Sequence, residues 1–208
     1  MLLKLLKNIV IMSKIDKSFY LCDDVVLIAK NLLGKYLYTK IDGDIITGGI
    51  ITETEAYAGA KDKASHAYNN RRTKRTEIMF HKGGVSYVYL CYGMYPLFNV
   101  VTNKKNIPDA ILIRAIKPTD GIDIMLKRTN KTKISENFTN GPGKLAKALG
   151  IKCEHSALNL TGNIIWLEDK KIKINKKNII AKTRIGINYA GKDALLDYRF
   201  IIKGTSIN

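Results

Sequence analysis

The chain has 208 residues, 46% of them hydrophobic, with 35 Lys and Arg against 18 Asp and Glu and a formal net charge of +17. Such a length fits one globular domain, or one with a modest appendage, and argues against a multidomain assembly. The charge suits a polyanion such as DNA or RNA, with a generally lysine-rich surface as the plainer alternative, and argues against a neutral-sugar specialist.

Residues Met1 to Met12 are apolar with two lysines. The stretch is too short to span a membrane and has no small-residue cleavage site, so a poorly structured extension over residues 1–15 is expected, with a native start at Met12. Residues 16–208 are expected to form a single domain. Asp23 to Leu33 has apolar residues at helical spacing and ends at Gly34, which predicts a helix with a glycine stop. Lys35 to Ile41 and Asp44 to Ala56 read as strands of a hairpin around Asp42-Gly43. Asp62 to Glu77 is polar and basic, a loop with a short helix. Val85 to Cys91 and Leu97 to Thr102 read as strands joined across Tyr92-Gly93-Met94-Tyr95-Pro96, and Ala110 to Ile116 as another. Gly121 to Arg128 reads as helix, Lys131 to Asn140 as loop, and Lys144 to Leu149 as a helix launched by Gly141-Pro142-Gly143 and stopped near Gly150. Ile164 to Glu168, Lys171 to Ile174 and Tyr198 to Lys203 complete the expected strands. Strands outweigh helices and lie close together, which favours a mixed, largely antiparallel sheet.

The residues that carry chemistry lie between Ile50 and Arg114. Side chains alternate along a strand, so Glu53, Glu55 and Tyr57 share one face. Two readings stand: a carboxylate beside a ring in a cleft, or a solvent-facing strand whose acids pair with lysines. Tyr87, Tyr89 and Cys91 share a face of the next strand, and Tyr92 stands where a hairpin tip is expected. A ring at such a tip can wedge into a base stack, although runs of tyrosine more often fill a core. Arg114, inside Ile111-Leu112-Ile113-Arg114-Ala115-Ile116, needs a buried partner, for which Glu53 and Glu55 are the candidates. It serves either a structural ion pair or the placing of an acid and its water. His66, His81 and His155 show no metal-ligand spacing. Cys22, Cys91 and Cys153 are odd in number with no C-x-x-C, which suits a reducing cytosol and disfavours zinc sites or disulfides. Gly141-Pro142-Gly143-Lys144 lacks phosphate-loop spacing and reads as a turn whose following helix amides hold a DNA phosphate.

Taken together, Glu53-Thr54-Glu55-Ala56-Tyr57, His66, Met79-Phe80, Tyr87-Val88-Tyr89, Tyr92-Gly93-Met94, Asn99, Leu112 with Arg114-Ala115, and Gly141-Pro142-Gly143-Lys144-Leu145 resemble the alkyladenine type of 3-methyladenine DNA glycosylase. The likeness runs from about Leu32 to Gly204, with Arg184-Ile185-Gly186-Ile187 and Arg199-Phe200 as weaker support. It implies an α+β fold: a single domain on a curved, largely antiparallel sheet with surrounding helices and no helix-hairpin-helix. It also implies a hydrolase of N-glycosyl bonds in base-excision repair, acting without a cofactor or a metal on double-stranded DNA that contains damaged purines. A monomer that engages no membrane is expected. By the same resemblance, Glu55 falls on the general base and Arg114 on the holder of the nucleophilic water. Tyr57, His66 and Tyr89 fall on the positions that sandwich the extruded base, Asn99 on the one that crowds guanine's amine, and Tyr92 on the one that fills the vacated gap. Arg71, Arg75, Met94, Tyr95, Gly143 and Lys144 are candidate DNA-backbone contacts. No lysine is implied as a covalent nucleophile, so the enzyme is expected to be monofunctional. Two other classes compete: a non-catalytic basic nucleic-acid-binding module, and a sugar hydrolase using Glu53 and Glu55 as its pair. The glycosylase account expects its acid to be reachable from solvent and its rings to enclose a cavity.

Overall fold

The computed structural model describes residues 14–204. The expected start at Met12 and nearly all of the expected extension lie outside them; Lys14 bridges to Glu168 and Ile15 is buried in the core. The fold is α+β, a single domain on a strongly curled antiparallel sheet. Its strands are β1 (Tyr36–Thr39), β2 (Thr47–Tyr57), β3 (Val85–Cys91), β4 (Tyr95–Thr102), β5 (Asp109–Asp120), β6 (Ile165–Glu168), β7 (Ile179–Lys182) and β8 (Arg199–Ile202). They run in the order β3-β4-β5-β2-β1-β6. β8 takes the same edge of β2 as β1 but further along, at Glu53 to Glu55, and carries β7 on its outer side.

Among the described residues three α-helices accompany the sheet: α1 (Val25–Leu32), α2 (Ile122–Thr129) and α3 (Pro142–Leu149). α1 starts where the Asp24 carboxylate accepts the Leu27 N–H, and buries Val25, Ile28, Ala29 and Leu32, one face of a helix. It covers the back of β2, where the Thr54 hydroxyl donates to the Ala29 carbonyl at 2.9 Å. α3 has Pro142 in its first turn and a left-handed Gly150 as its cap, the usual asymmetry of helix ends. The main core lies on this side of the sheet. Two smaller clusters lie elsewhere, one around Met79, Phe80 and Tyr87, the other around Ala64, Ile187 and Ala190. Among the described residues no helix is long and apolar enough to cross a membrane, and Cys22, Cys91 and Cys153 are free thiols.

Most expected elements are present within a few residues, with two differences. The tight hairpin at Asp42-Gly43 is a longer loop over residues 40–46, because Thr39 pairs with Thr47. Asp42 is drawn away from the turn to accept two bonds from Arg128 of α2, at 2.8 and 3.1 Å. Lys171 to Ile174 forms no strand: Lys171 is left-handed at φ 58°, and Ile172 and Ile174 pack onto the core without a backbone partner. The strand in that part of the chain is β7, one segment later.

Candidate active site

The central feature is a pair of register shifts where β2 meets β5. Ile51 pairs with Ile116, Glu53 with Ala115 and Thr54 with Ile113. The count leaves Thr52 extra on β2 and Arg114 extra on β5, a bulge that re-aims the unmatched side chain. The Arg114 carbonyl, freed from the ladder, accepts the Gly141 N–H at 2.9 Å and so draws the start of α3 to this point.

Arg114 turns toward the acids of β2. Its Nε donates to Glu53 Oε1 at 2.9 Å, and its Nη1 lies 3.4 Å from Glu55 Oε1. Arg199 of β8 donates to the same Glu53 oxygen at 3.0 Å. Glu55 Oε1 also accepts the Ile185 N–H at 2.8 Å, and its Oε2 accepts the Tyr57 hydroxyl at 2.8 Å. Glu53, Glu55 and Tyr57 therefore share a face, and the partners of the acids are arginines rather than surface lysines. With two arginines on one oxygen, Glu53 has no freedom to act as the second acid of a sugar hydrolase.

Glu55 is 0% exposed. The expectation of a solvent-reachable acid is corrected here: the carboxylate sits behind the pocket wall, covered by Tyr57, Arg114 and Ile185. Burial pushes its carboxyl above the ordinary 4.5. Arg114, the Ile185 N–H and the Tyr57 hydroxyl oppose that rise, and Glu53 adds to it.

In front of that wall lies a cavity of about 490 Å³, lined by Tyr57, His66, Tyr89, Asn99 and Arg114, among others. The His66 and Tyr89 rings meet edge to face, 4.6 Å between centroids at 78°, and Tyr87 stacks behind Tyr89 at 5.3 Å. His66 Nδ1 is 2.9 Å from the Tyr87 hydroxyl. Burial, then the charges of Arg75 and Arg71, push the His66 imidazole down to about 4, so it is neutral at physiological pH. Asn99 is fixed by donating its amide to the Tyr87 and Leu97 carbonyls, at 3.1 and 3.3 Å.

Tyr92 forms the tip of the β3–β4 hairpin and is 87% exposed. It is left-handed at φ 50°, followed by Gly93 at 71°, in a turn closed by Met94 N–H to the Cys91 carbonyl at 3.1 Å. A tyrosine in that region carries local strain, which fits a side chain held outward for use. Met94 and Tyr95 are exposed beside it. Tyr95 abuts Gly143, where an added Cβ would come within 3.2 Å of it, so the start of α3 and exposed Lys144 border the same rim. Arg71 and Arg75 are exposed on the opposite loop, and Arg75 lies 5.2 Å from the centre of the Tyr89 ring. A second cavity of about 330 Å³ adjoins the first through His66 and Arg75 and adds Lys63 and Arg71.

Sequence reasoning missed Asp62 and the Ile185 N–H, gave Tyr87 no role as the anchor of His66, and valued Arg184 only as weak support for the resemblance. An arginine two residues before a glycine, in Thr183-Arg184-Ile185-Gly186, was the available signal.

A curled sheet that presents an acid–arginine cluster behind a ring-lined pocket, with an exposed tyrosine and a basic rim, defines an enzyme that works on the bases of a nucleic acid. The family model described as methylpurine-DNA glycosylase matches residues 18–206. A protein of Chlamydia felis, provisionally named a 3-methyladenine DNA glycosylase, is 48% identical over 90% of this chain and 95% of its own. One of Bacillus mycoides with the same provisional name is 47% identical over 88% and 93%. The chain belongs to the methylpurine-DNA glycosylase family: it is a DNA repair hydrolase that acts on N-glycosyl bonds, and not a purely non-catalytic binding module.

Proposed function

We propose that this glycosylase excises alkylated or deaminated purines, such as 3-methyladenine, 7-methylguanine and hypoxanthine, from duplex DNA by base flipping. The observation that carries the proposal is the juxtaposition of the ring-lined cavity with Tyr92 at its mouth and the Glu55–Arg114 pair behind its wall. The cavity volume lies within the span of about 300–1,000 Å³ usual for small-molecule sites. Rotating a nucleotide out of the stack costs a few kcal/mol, which Tyr92 offsets in part by filling the hole. The purine lies against Tyr57 on one side and His66 with Tyr89 on the other, and Asn99 crowds the exocyclic amine of a normal guanine. The basic annex beside His66 and the Lys144 end of α3 receive the flanking phosphates, with the exposed Met94 and Tyr95 and the half-buried Gly143 along the same track. The protein acts as a monomer in the cytosol, without a covalent lysine intermediate.

Glu55 is the general base. Its raised pKa makes it a stronger base than a surface glutamate, while Arg114 holds its orientation and one side of the attacking water. In the resting protein Tyr57 occupies Oε2. A purine stacking on the Tyr57 ring draws the hydroxyl away and admits water to that oxygen, facing the sugar's anomeric carbon. A positively charged lesion is already a good leaving group, so activation of water suffices. Glu55→Gln keeps the hydrogen-bonding shape but loses the base: it is expected to bind a lesion duplex and release no base in single turnover. Base release at the unaltered rate would remove Glu55 from the mechanism.

A further inference from the structure

A buried ion pair outside the strand that bears the acid ties the two sides of the pocket together. Arg184 is 5% exposed and Asp62 is 3% exposed. Arg184 grips the carboxylate with both ends of its fork, Nη1 on Oδ2 and Nη2 on Oδ1, the latter at 2.9 Å. Asp62 also accepts the N–H groups of Ala58 and Ala64, at 3.1 and 2.9 Å, which fixes the turn between Tyr57 and His66. Arg184 also donates to the carbonyls of Ala56 and Asp193, at 2.9 and 3.0 Å. The Asp193 carboxylate closes the loop by accepting the Lys63 N–H at 2.8 Å. The Arg184 guanidinium carbon lies 4.9 Å from the centre of the Tyr57 ring. The residue after it, Ile185, donates its N–H to Glu55.

Buried ion pairs are poor sources of stability compared with apolar side chains of the same volume, so this placement asks for another account. We infer that Asp62 and Arg184 are a positioning pair: they hold the Ile185 N–H on Glu55 and the Tyr57 ring in the pocket wall, and so set how readily the acid ionises. The inference rests on Glu55 as the base. Neither residue touches the reacting atoms. The charged and titratable groups around Glu55 are Glu53 and Tyr57 from β2, Arg114 from β5, Arg199 from β8, and Arg184. Among its hydrogen-bond donors, the Ile185 N–H is the one held in place from outside the sheet. Slackening it removes a bond that favours the charged carboxylate, so Glu55 needs a higher pH to work.

The test is single-turnover base release against pH, on a duplex bearing one 7-methylguanine, with the full chain. Asp62→Asn removes the charge but little volume. The joint change Asp62→Leu with Arg184→Met replaces the pair with apolar bulk and guards against loss of the fold. In the joint variant, which leaves no unpaired charge, the acid limb is expected to move to higher pH, with the loss of rate at the acidic end exceeding that on the alkaline plateau by about tenfold, as one pKa unit would give; in Asp62→Asn the uncompensated Arg184 charge opposes that move and makes it smaller. A limb that stays put, or a loss equal at every pH, overturns the inference. Failure of both variants to fold, read by thermal melting, makes the pair structural and overturns it as well. Glu55→Gln run alongside separates the two layers. If that variant still releases base, the assignment of Glu55 fails. If it is dead while the limb of the pair variants is unmoved, only the positioning role fails.

Discussion

Tyr57→Phe is the most direct probe of the closed acid. It deletes one hydroxyl, leaves the ring that lines the cavity, and frees Glu55 Oε2 of its 2.8 Å bond. That bond is one of three contacts that favour the charged form against burial, the others being Arg114 and the Ile185 N–H. A hydrogen bond to a charged acceptor contributes about 1.5–3 kcal/mol, so its loss shifts the ionisation equilibrium about ten- to a hundredfold toward the protonated acid. The acid limb of base release therefore moves to higher pH. Above the limb the rate is expected to hold or rise, because the oxygen proposed to receive water is already free. Stability follows the same sign. The folded pKa of Glu55 is raised, so its contribution is fully present below the ordinary 4.5 and is lost as pH rises through the folded value. Tyr57→Phe carries that loss to higher pH. Single-turnover release of 7-methylguanine across pH, beside urea melts at the same pH values, reads both effects. A limb that stays in place with a uniformly lower rate would mean that the hydroxyl contacts the substrate rather than latching the acid, and would refute this reasoning.

His66 is expected to stay neutral until pH falls to about 4. Its imidazole resonances, followed by NMR, should not titrate near 6.5, and a normal titration would deny its burial against Tyr87 and Tyr89. Tyr92→Gly removes the ring proposed to fill the gap and relieves the left-handed tyrosine. Urea denaturation should show stability unchanged or raised by about 1 kcal/mol, while base release from duplex falls more than from single strands. Glu53→Gln leaves Arg114 and Arg199 short of a buried counter-charge. It should cost about 3–5 kcal/mol in denaturant melts, with activity falling as Arg114 loses its anchor.

The strands that build the pocket were legible in the sequence because their apolar runs are long and their turns carry glycine. The acid–ring face of β2 followed from alternation alone, and Tyr92 at a tip followed from its place before Gly93. What stayed hidden depends on partners far along the chain. The loop at Asp42-Gly43 opens because Arg128 competes for the aspartate, and local turn chemistry has no view of an arginine in α2. Lys171 to Ile174 alternates like a strand, yet its isoleucines are spent on the core and Lys171 takes a left-handed conformation that breaks the extended run. The bulge at Arg114 cannot be read from Ile111-Leu112-Ile113-Arg114-Ala115-Ile116, because a register shift is a property of two strands. The burial of Glu55 is of the same kind: Ile185 and Arg114 complete the wall from distant sequence.

The distribution of charge explains how so basic a chain keeps an acid poised. Among the described residues, Glu53, Glu55 and Asp62 face Arg114, Arg199 and Arg184 around the pocket wall, so carboxylates and guanidiniums balance there. The excess of +17 is left to other parts of the chain, such as Lys63, Arg71, Arg75 and Lys144 at the rim. On the proposed function those rim charges are the ones that would draw in DNA, through interactions that salt screens over about 10 Å. A wall with surplus positive charge would repel a cationic purine of the kind proposed as substrate and would hold Glu55 too acidic for the proposed role of base. A wall with surplus negative charge would raise the acid until it no longer ionised. Balance leaves burial as the leading influence on Glu55, and the bulge that turns Arg114 inward is what sets that balance.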